Sequence, residues 1–218
     1  LGYGTAGLQA HPTAILSAAQ LGYRLFDTAS DTGPWYKSEK RVGEMLVEMK
    51  RQGVERREFF ITTKLHPQDF GEKATLASFA SSLQRLGTDY VDLYLLHYPR
   101  CWSDLCDREA EGTWQESWKV LQQLLKEGKV RSIGLANFRL EELKEAVSLF
   151  KPHLVQTWID PLNQPWEYIE YCRQRDIQVQ AYSPLGTQHR KTPNPVLTNP
   201  TVVSLAEFKA RTPAQVVL

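Results

Sequence analysis

Asp27, Tyr36, Lys64 and His97 are of types that suit one reaction. A carboxylate and an ammonium at the ends of neighbouring strands pair naturally, and the pairing keeps a partly desolvated lysine charged. A charged lysine beside a phenol is expected to lower the phenol's pKa from its reference of about 10, making it a usable proton donor near neutrality. An imidazole can supply a second hydrogen bond to a carbonyl oxygen. Together the four describe reduction of a carbonyl, with a hydride arriving from a bound nicotinamide.

Such residues work only if the chain brings them to one place. His97 closes the run Asp89–Pro99, whose Val, Leu and Tyr content and terminal proline read as a buried strand. Other strands end in the same way. The residues at the ends of the apolar runs are Thr5, Asp27, Lys64, His97, Asn137, Gln156 and the pair Tyr182-Ser183. Between the runs lie helical patterns at His11–Leu21, with Pro12 at its start, and at Lys37–Gln52, Glu72–Leu86 and Thr113–Glu127. Three more follow at Leu140–Phe150, Trp166–Arg175 and Thr201–Ala210. Leu76, Phe79, Leu83 and Leu86 are expected inward on one helix, and Trp114, Trp118, Leu121 and Leu125 on another.

Strand and helix alternate seven times without a linker or low-complexity block, so the strands are expected to be parallel with helical crossovers. Polar strand ends in succession suit one mouth of a closed barrel better than an open doubly wound sheet. The expected fold is therefore an α/β protein, a (β/α)8 TIM barrel lacking its last βα unit. Residues 1–218 read as one domain, cut at both ends, with exposed edges on the first and seventh strands.

Bulk properties narrow the function classes. The balance of 26 basic and 25 acidic side chains gives no reason to expect nucleic acid or an anionic membrane as partner. No apolar run is long enough to span a membrane. Three irregularly spaced cysteines argue against a disulfide framework and for a reducing compartment, with the cytoplasm as default. His97, Cys101 and Cys106 lack a fourth ligand at suggestive spacing, so no metal is expected and the loop cysteines read as thiols. His66 and His189 read as surface loop residues, and Arg190-Lys191 with Lys209 and Arg211 as a solvated face.

Two rival patterns exist. Gly2–Gly7 satisfies G-x-G-x-x-G, with Asp27 about 20 residues on, as in a Rossmann fingerprint. Tyr36-x-x-x-Lys40 imitates the short-chain dehydrogenase pair. Neither explains Lys64, His97, Asn137 or Gln156.

Seven segments, in order, carry a resemblance. They are Gly-Tyr-Gly-Thr at Gly2–Thr5, Phe-Asp-Thr-Ala at Phe26–Ala29, Tyr-Lys-Ser-Glu at Tyr36–Glu39 and Thr-Thr-Lys-Leu at Thr62–Leu65. Leu-Leu-His-Tyr-Pro at Leu95–Pro99, the run Gly128–Phe138 and Ala-Tyr-Ser-Pro-Leu-Gly at Ala181–Gly186 complete them. The chain resembles the aldo-keto reductases over nearly its whole length. The resemblance implies an NAD(P)H-dependent oxidoreductase that reduces aldehydes or ketones to alcohols, with the tetrad Asp27, Tyr36, Lys64 and His97 and Tyr36 as proton donor. It further implies NADPH, or alternatively NADH, with the nicotinamide stacked on Tyr182 and its carboxamide held by Asn137 and Gln156. Thr5, Ser183 and Leu185 complete the implied cofactor set, Ser183 and Leu185 along the pyrophosphate.

Trp35 and Trp102 are candidate walls of an apolar substrate pocket, with Trp158 divided between that role and core packing. The small carbonyl substrate is the expected partner, and the chain is expected to be a monomer or weak dimer.

Three departures from the family pattern stand out. Tyr36 follows Asp27 at a longer spacing than usual, Ala136 precedes Asn137 where the family commonly has Ser, and Trp158 and Asp160 follow Gln156. These leave a second reading, a catalytically weak nucleotide-binding barrel serving a regulatory or partner-binding role. The potassium-channel β subunits, which resemble the same family, are of that kind.

Overall fold

The computed structural model describes all residues except Gln9, Ala10, Pro12 and Ser103. Pro12, expected to open the first helix, thus lies outside the described residues. The chain divides into a unit of Leu1–His153 and a unit of Leu154–Leu218.

Among the described residues of the first unit, five strands alternate with five α-helices. Strand β1 is Gly2–Gly4, β2 Leu25–Asp27, β3 Phe60–Leu65, β4 Val91–Leu96 and β5 Val130–Ala136. Helix α1 is Ala14–Gln20, α2 Glu39–Arg51, α3 Glu72–Leu86, α4 Trp114–Lys126 and α5 Leu140–Leu149. The strands pair in chain order and all in parallel. Every residue of β4 is buried, as is β3 beyond its first residue. Strands covered on both faces read as continuous apolar runs, which is why these two were legible without alternation.

The helices end where local chemistry stops them. Thr113 caps α4 in a capping box with Glu116, and Gly87 ends α3 in the left-handed conformation at φ 63. Helix α2 packs close to α3 because Gly43 has no side chain: a Cβ there would lie 2.7 Å from the Arg85 carbonyl oxygen. The inward face of α3 differs from expectation. Phe79 and Leu86 are buried, but Leu76 is exposed and its place is taken by Thr75 and Ser82. The Thr75 hydroxyl bonds Ser117 of α4 at 2.9 Å, and the Gly71 N–H donates to the same Ser117 oxygen at 3.0 Å. A hydroxyl contact thus replaces an apolar one between these helices. On α4, Leu124 is buried and Leu125 only partly so.

The second unit pairs β6 (Leu154–Trp158) in parallel with β7 (Gln178–Tyr182), aligning Gln156 with Gln180 and Trp158 with Tyr182. Helix α6 is Trp166–Arg173, α7 Pro200–Lys209 and α8 Pro213–Val217. Asn199 caps α7 through its side-chain oxygen, with Pro200 at the first turn. Among the described residues no helix is long and apolar enough to cross a membrane.

Candidate active site

Parallel pairing of β2, β3 and β4 sets Asp27, Lys64 and His97 at neighbouring carboxyl ends. The pairing continues past β2, since the Thr28 N–H donates to Thr62 O and the Ser30 N–H to Lys64 O. It also continues past β4, where the His97 N–H donates to Leu65 O. Each side chain therefore leaves a backbone already held on one side.

Lys64 is completely buried. Its ammonium donates to Asp27 Oδ1 at 2.5 Å, to Thr28 O at 2.9 Å and to the Tyr36 hydroxyl at 3.2 Å. All three of its protons are committed. Burial alone would depress the lysine's pKa; the Asp27 carboxylate and then Tyr36 outweigh it, so Lys64 titrates above its ordinary value. The ammonium persists in a dry site.

Tyr36 corrects the sequence expectation. Burial raises the phenol's pKa, and the opposing pull of Lys64 does not overcome it, with Asp27 adding to the rise. The phenol titrates above its ordinary value and stays protonated through the physiological range. His97 goes the other way: burial first, then the charge of Lys64 and the nearby His66, hold its pKa well below the usual imidazole range. It is a neutral ring near neutrality, 5.6 Å from the Tyr36 ring between centroids.

Ser38, Thr28 and Tyr98, to which the sequence reading gave no role, help fix this arrangement. The Ser38 hydroxyl lies 2.8 Å from both Thr5 Oγ1 and Thr28 Oγ1, and Thr5 Oγ1 donates to Asp27 O at 2.9 Å. The Thr5 hydroxyl is thus engaged with the Asp27 backbone. Asn137, in the left-handed conformation at φ 62, donates its amide to His97 O at 2.9 Å. Tyr98 stacks on His97 at 4.6 Å and meets Trp102 edge-on at 5.0 Å and Trp35 at 6.0 Å. Trp35 and Trp102 are both partly exposed, so an aromatic wall adjoins His97. Tyr98 was visible in Leu-Leu-His-Tyr-Pro, but its role depends on partners distant in sequence.

Three loop expectations are overturned. Cys101 and Cys106 form a disulfide rather than free thiols, closing a short loop around Trp102. Their spacing had no bearing on a large framework but suits a local strap. His66 is buried, not a surface residue, because the turn following β3 folds it beneath Gly33. His189 is only partly exposed: its Nε2 lies 3.0 Å from Asp160 Oδ2, which also accepts from Trp158 Nε1 at 2.8 Å. Trp158 is accordingly tied to Asp160 and His189.

The parts of a nicotinamide dinucleotide call for a flat ring partner, amide groups and a turn that can meet phosphate oxygens. In the second unit Tyr182 is half-buried at the end of β7, followed by Ser183 at φ 50 and Gly186 at φ 82. Gly186 is required twice over, since a Cβ there would also lie 2.5 Å from Val196 Cγ2. Asn194 holds this turn by donating to Leu185 O at 2.8 Å, and Gln188 donates to the Ser183 hydroxyl. Gln156 is buried and donates to Gln180 at 3.2 Å. The residue types present fit such a group.

Comparison with known proteins agrees with this chemistry. The model of the Aldo/keto reductase family matches residues 1–218. The chain is 37% identical over 207 residues to an aldo-keto reductase of Mycolicibacterium vanbaalenii, covering 94% of this chain and 67% of that protein. It is 37% identical over 207 residues to glyoxal reductase of Bacillus subtilis, with the same coverages. The crystal structure of a Bombyx mori aldo-keto reductase in complex with NADP covers 100% of this chain and 74% of its own, at 30% identity and a TM-score of 0.88. That likeness bears out the (β/α)8 fold class expected from strand–helix alternation. On the strength of a family match across its whole length, the chain belongs to the aldo/keto reductase family.

Proposed function

We propose that this chain reduces small aldehydes or ketones to alcohols, with Tyr36 as proton donor and NADPH as the reductant. The observation that carries the reading is the chain of contacts from Asp27 through the buried Lys64 to the Tyr36 hydroxyl, at 2.5 and 3.2 Å. When bound, a reduced nicotinamide supplies the hydride. As charge grows on the carbonyl oxygen, Tyr36 gives up its hydroxyl proton to it. The phenolate left behind sits against the Lys64 ammonium, and Asp27 keeps that ammonium charged. The Lys64 ammonium beside the phenol favours this transfer, because it stabilises the phenolate as the proton leaves. Neutral His97 can donate one ring N–H to the same oxygen and orient it.

Trp35 and Trp102 are assigned to the walls around an apolar substituent. Thr5, Asn137, Gln156, Tyr182, Ser183 and Leu185 are assigned to the cofactor, as the family resemblance implies. A B. subtilis relative named glyoxal reductase and a Bombyx mori structure in complex with NADP support a small carbonyl substrate and NADPH. The same proposal takes residues 1–218 as one domain acting in the cytoplasm, a placement the Cys101–Cys106 disulfide no longer supports through free thiols, as a monomer or weak dimer without nucleic acid or membrane as partner.

The test is Tyr36→Phe, assayed by NADPH oxidation across a panel of aldehydes, with quenching of tryptophan fluorescence by NADPH read in parallel. Turnover should fall at least about 10²-fold while quenching persists. Equal turnover by wild type and variant would remove Tyr36 as donor, and lack of quenching in either would remove the cofactor.

A further inference from the structure

Tyr36 stands on the loop between β2 (Leu25–Asp27) and α2 (Glu39–Arg51), and a connection of that length ordinarily has conformational freedom. Here the loop is gripped from outside. Thr32 Oγ1 donates to Asp69 Oδ2 at 2.8 Å. Gly33 is buried against the His66 ring so closely that a Cβ would lie 2.9 Å from His66 Cδ2 and 3.2 Å from Nε2. Both gripping residues belong to the short turn that follows β3, the strand that also carries Lys64.

That turn is itself held rigid. The Asp69 N–H donates to His66 O at 3.0 Å, and the Gln68 N–H donates to His66 Nδ1 at 3.3 Å. Because Nδ1 accepts, the neutral ring carries its proton on Nε2. Asp69 accepts in addition from Ser78 at 3.1 Å and lies 3.4 Å from Arg108. His66 Nε2 is buried and makes no close hydrogen bond among the described residues, with the Leu105 backbone as a polar neighbour. The ring presents its flat surface to Gly33. The far side of the loop is tied down as well, since the Gly7 N–H donates to Trp35 O at 3.1 Å and Lys37 Nζ donates to Asp31 O.

We propose that His66 and Asp69 are positioning residues, which with Gly33 and Thr32 brace the loop between β2 and α2 so that the Tyr36 hydroxyl is delivered to Lys64. The proposal rests on the assignment of Tyr36 as proton donor. Lys64 and the brace are carried by the same strand and its following turn, so the phenol is positioned relative to its partner by a single rigid segment. A displacement of about 1 Å from the productive geometry costs on the order of 10²-fold in rate, which makes the brace kinetically visible.

The experiment compares Thr32→Val, Thr32→Ser, Gly33→Ala, His66→Ala and the Gly33→Ala/His66→Ala double variant with wild type. It reads kcat, KM for an aldehyde, quenching by NADPH, and titration of the Tyr36 ring by NMR, assigned through its loss in Tyr36→Phe. Thr32→Val and Gly33→Ala should lower kcat about 10- to 100-fold with KM and quenching changed less than about twofold. The Tyr36 titration should move down toward the ordinary phenol value as the ring loosens. Thr32→Ser should restore kcat, and removing the His66 ring should relieve part of the Gly33→Ala loss. The proposal is overturned if Thr32→Val and Gly33→Ala keep wild-type kcat while Tyr36→Phe loses it, or if kcat falls without movement of the Tyr36 titration. An active Tyr36→Phe would instead discard the donor assignment, and the brace with it.

Discussion

Lys64 Nζ lies 2.5 Å from Asp27 Oδ1 with the lysine wholly buried, so the two charges depend on each other. Removing either partner strands the other in a medium that solvates it poorly. Lys64→Met should lower turnover about 10²–10³-fold and destabilise the fold by about 3–5 kcal/mol. Asp27→Asn/Lys64→Met should recover much of the stability and none of the activity. Chemical denaturation and steady-state rates, run side by side, separate the two effects. The pair also has an alkaline signature. Lys64 is raised in the folded state, so its contribution is complete below the unfolded lysine pKa of about 10.4 and fades as pH climbs through the folded value. Melting curves between pH 8 and about 11.5 should fall more steeply for wild type than for Lys64→Met.

Acid should act through the two buried imidazoles. His97 is held well below its ordinary pKa and His66 is also lowered, burial being the leading cause in both. A depressed histidine binds its proton more tightly in the unfolded chain, so stability is lost as pH drops below the unfolded value of about 6.5. Each ring should cost about 1.4 kcal/mol per pH unit until its folded pKa is reached. The acid limb of a stability profile should flatten in His97→Gln. NMR of the imidazole ring should find His97 neutral at about pH 6.5, where a free imidazole is half charged, and a charged ring there would refute this.

Asp92 offers a contrast between holding the fold and doing chemistry. It lies near the start of β4, whereas His97 follows that strand's end. It accepts from Arg56 at 2.9 Å, Arg131 at 3.0 Å and the Ile61 N–H at 2.9 Å. Asp92→Ala should destabilise the protein by about 3 kcal/mol, leaving two cations without their carboxylate, while kcat at a temperature well below the melt stays within twofold. A large loss of kcat with unchanged melting would show that this end of the strand reaches the chemistry.

The Cys101–Cys106 bridge should act on substrate recognition more than on rate. It closes a loop containing Trp102, which packs edge-on against Tyr98. Reduction by dithiothreitol, or Cys101→Ser/Cys106→Ser, should raise KM for aromatic aldehydes about three- to tenfold, the cost of ordering one large side chain on binding. Turnover at saturation should change less than twofold. An unchanged KM would detach the strap from the pocket wall.

Much of this was readable without coordinates. Asp27, Lys64 and His97 each follow an apolar run, and parallel strands joined by helical crossovers put such positions at one edge. Boundaries moved by a few residues, as at Glu39–Arg51 against Lys37–Gln52 and Ala14–Gln20 against His11–Leu21. The inward face of α3 was misread because Thr75 is buried against the Ser117 hydroxyl of α4, and Ser82 against Arg85 and Glu39, polar partners that apolar periodicity does not count.

Linear order along the polymer therefore determined which side chains could reach a common edge, since period and strand ends are local properties of the chain. It did not determine their protonation. The direction of the Tyr36 shift is a balance between burial and the Lys64 charge, and burial has no value until distant segments close over the ring. The Cys101–Cys106 bond, the inward turn of His66 and the grip on Thr32 and Gly33 likewise came from tertiary packing alone, because each depends on a separation in space that spacing in sequence does not encode.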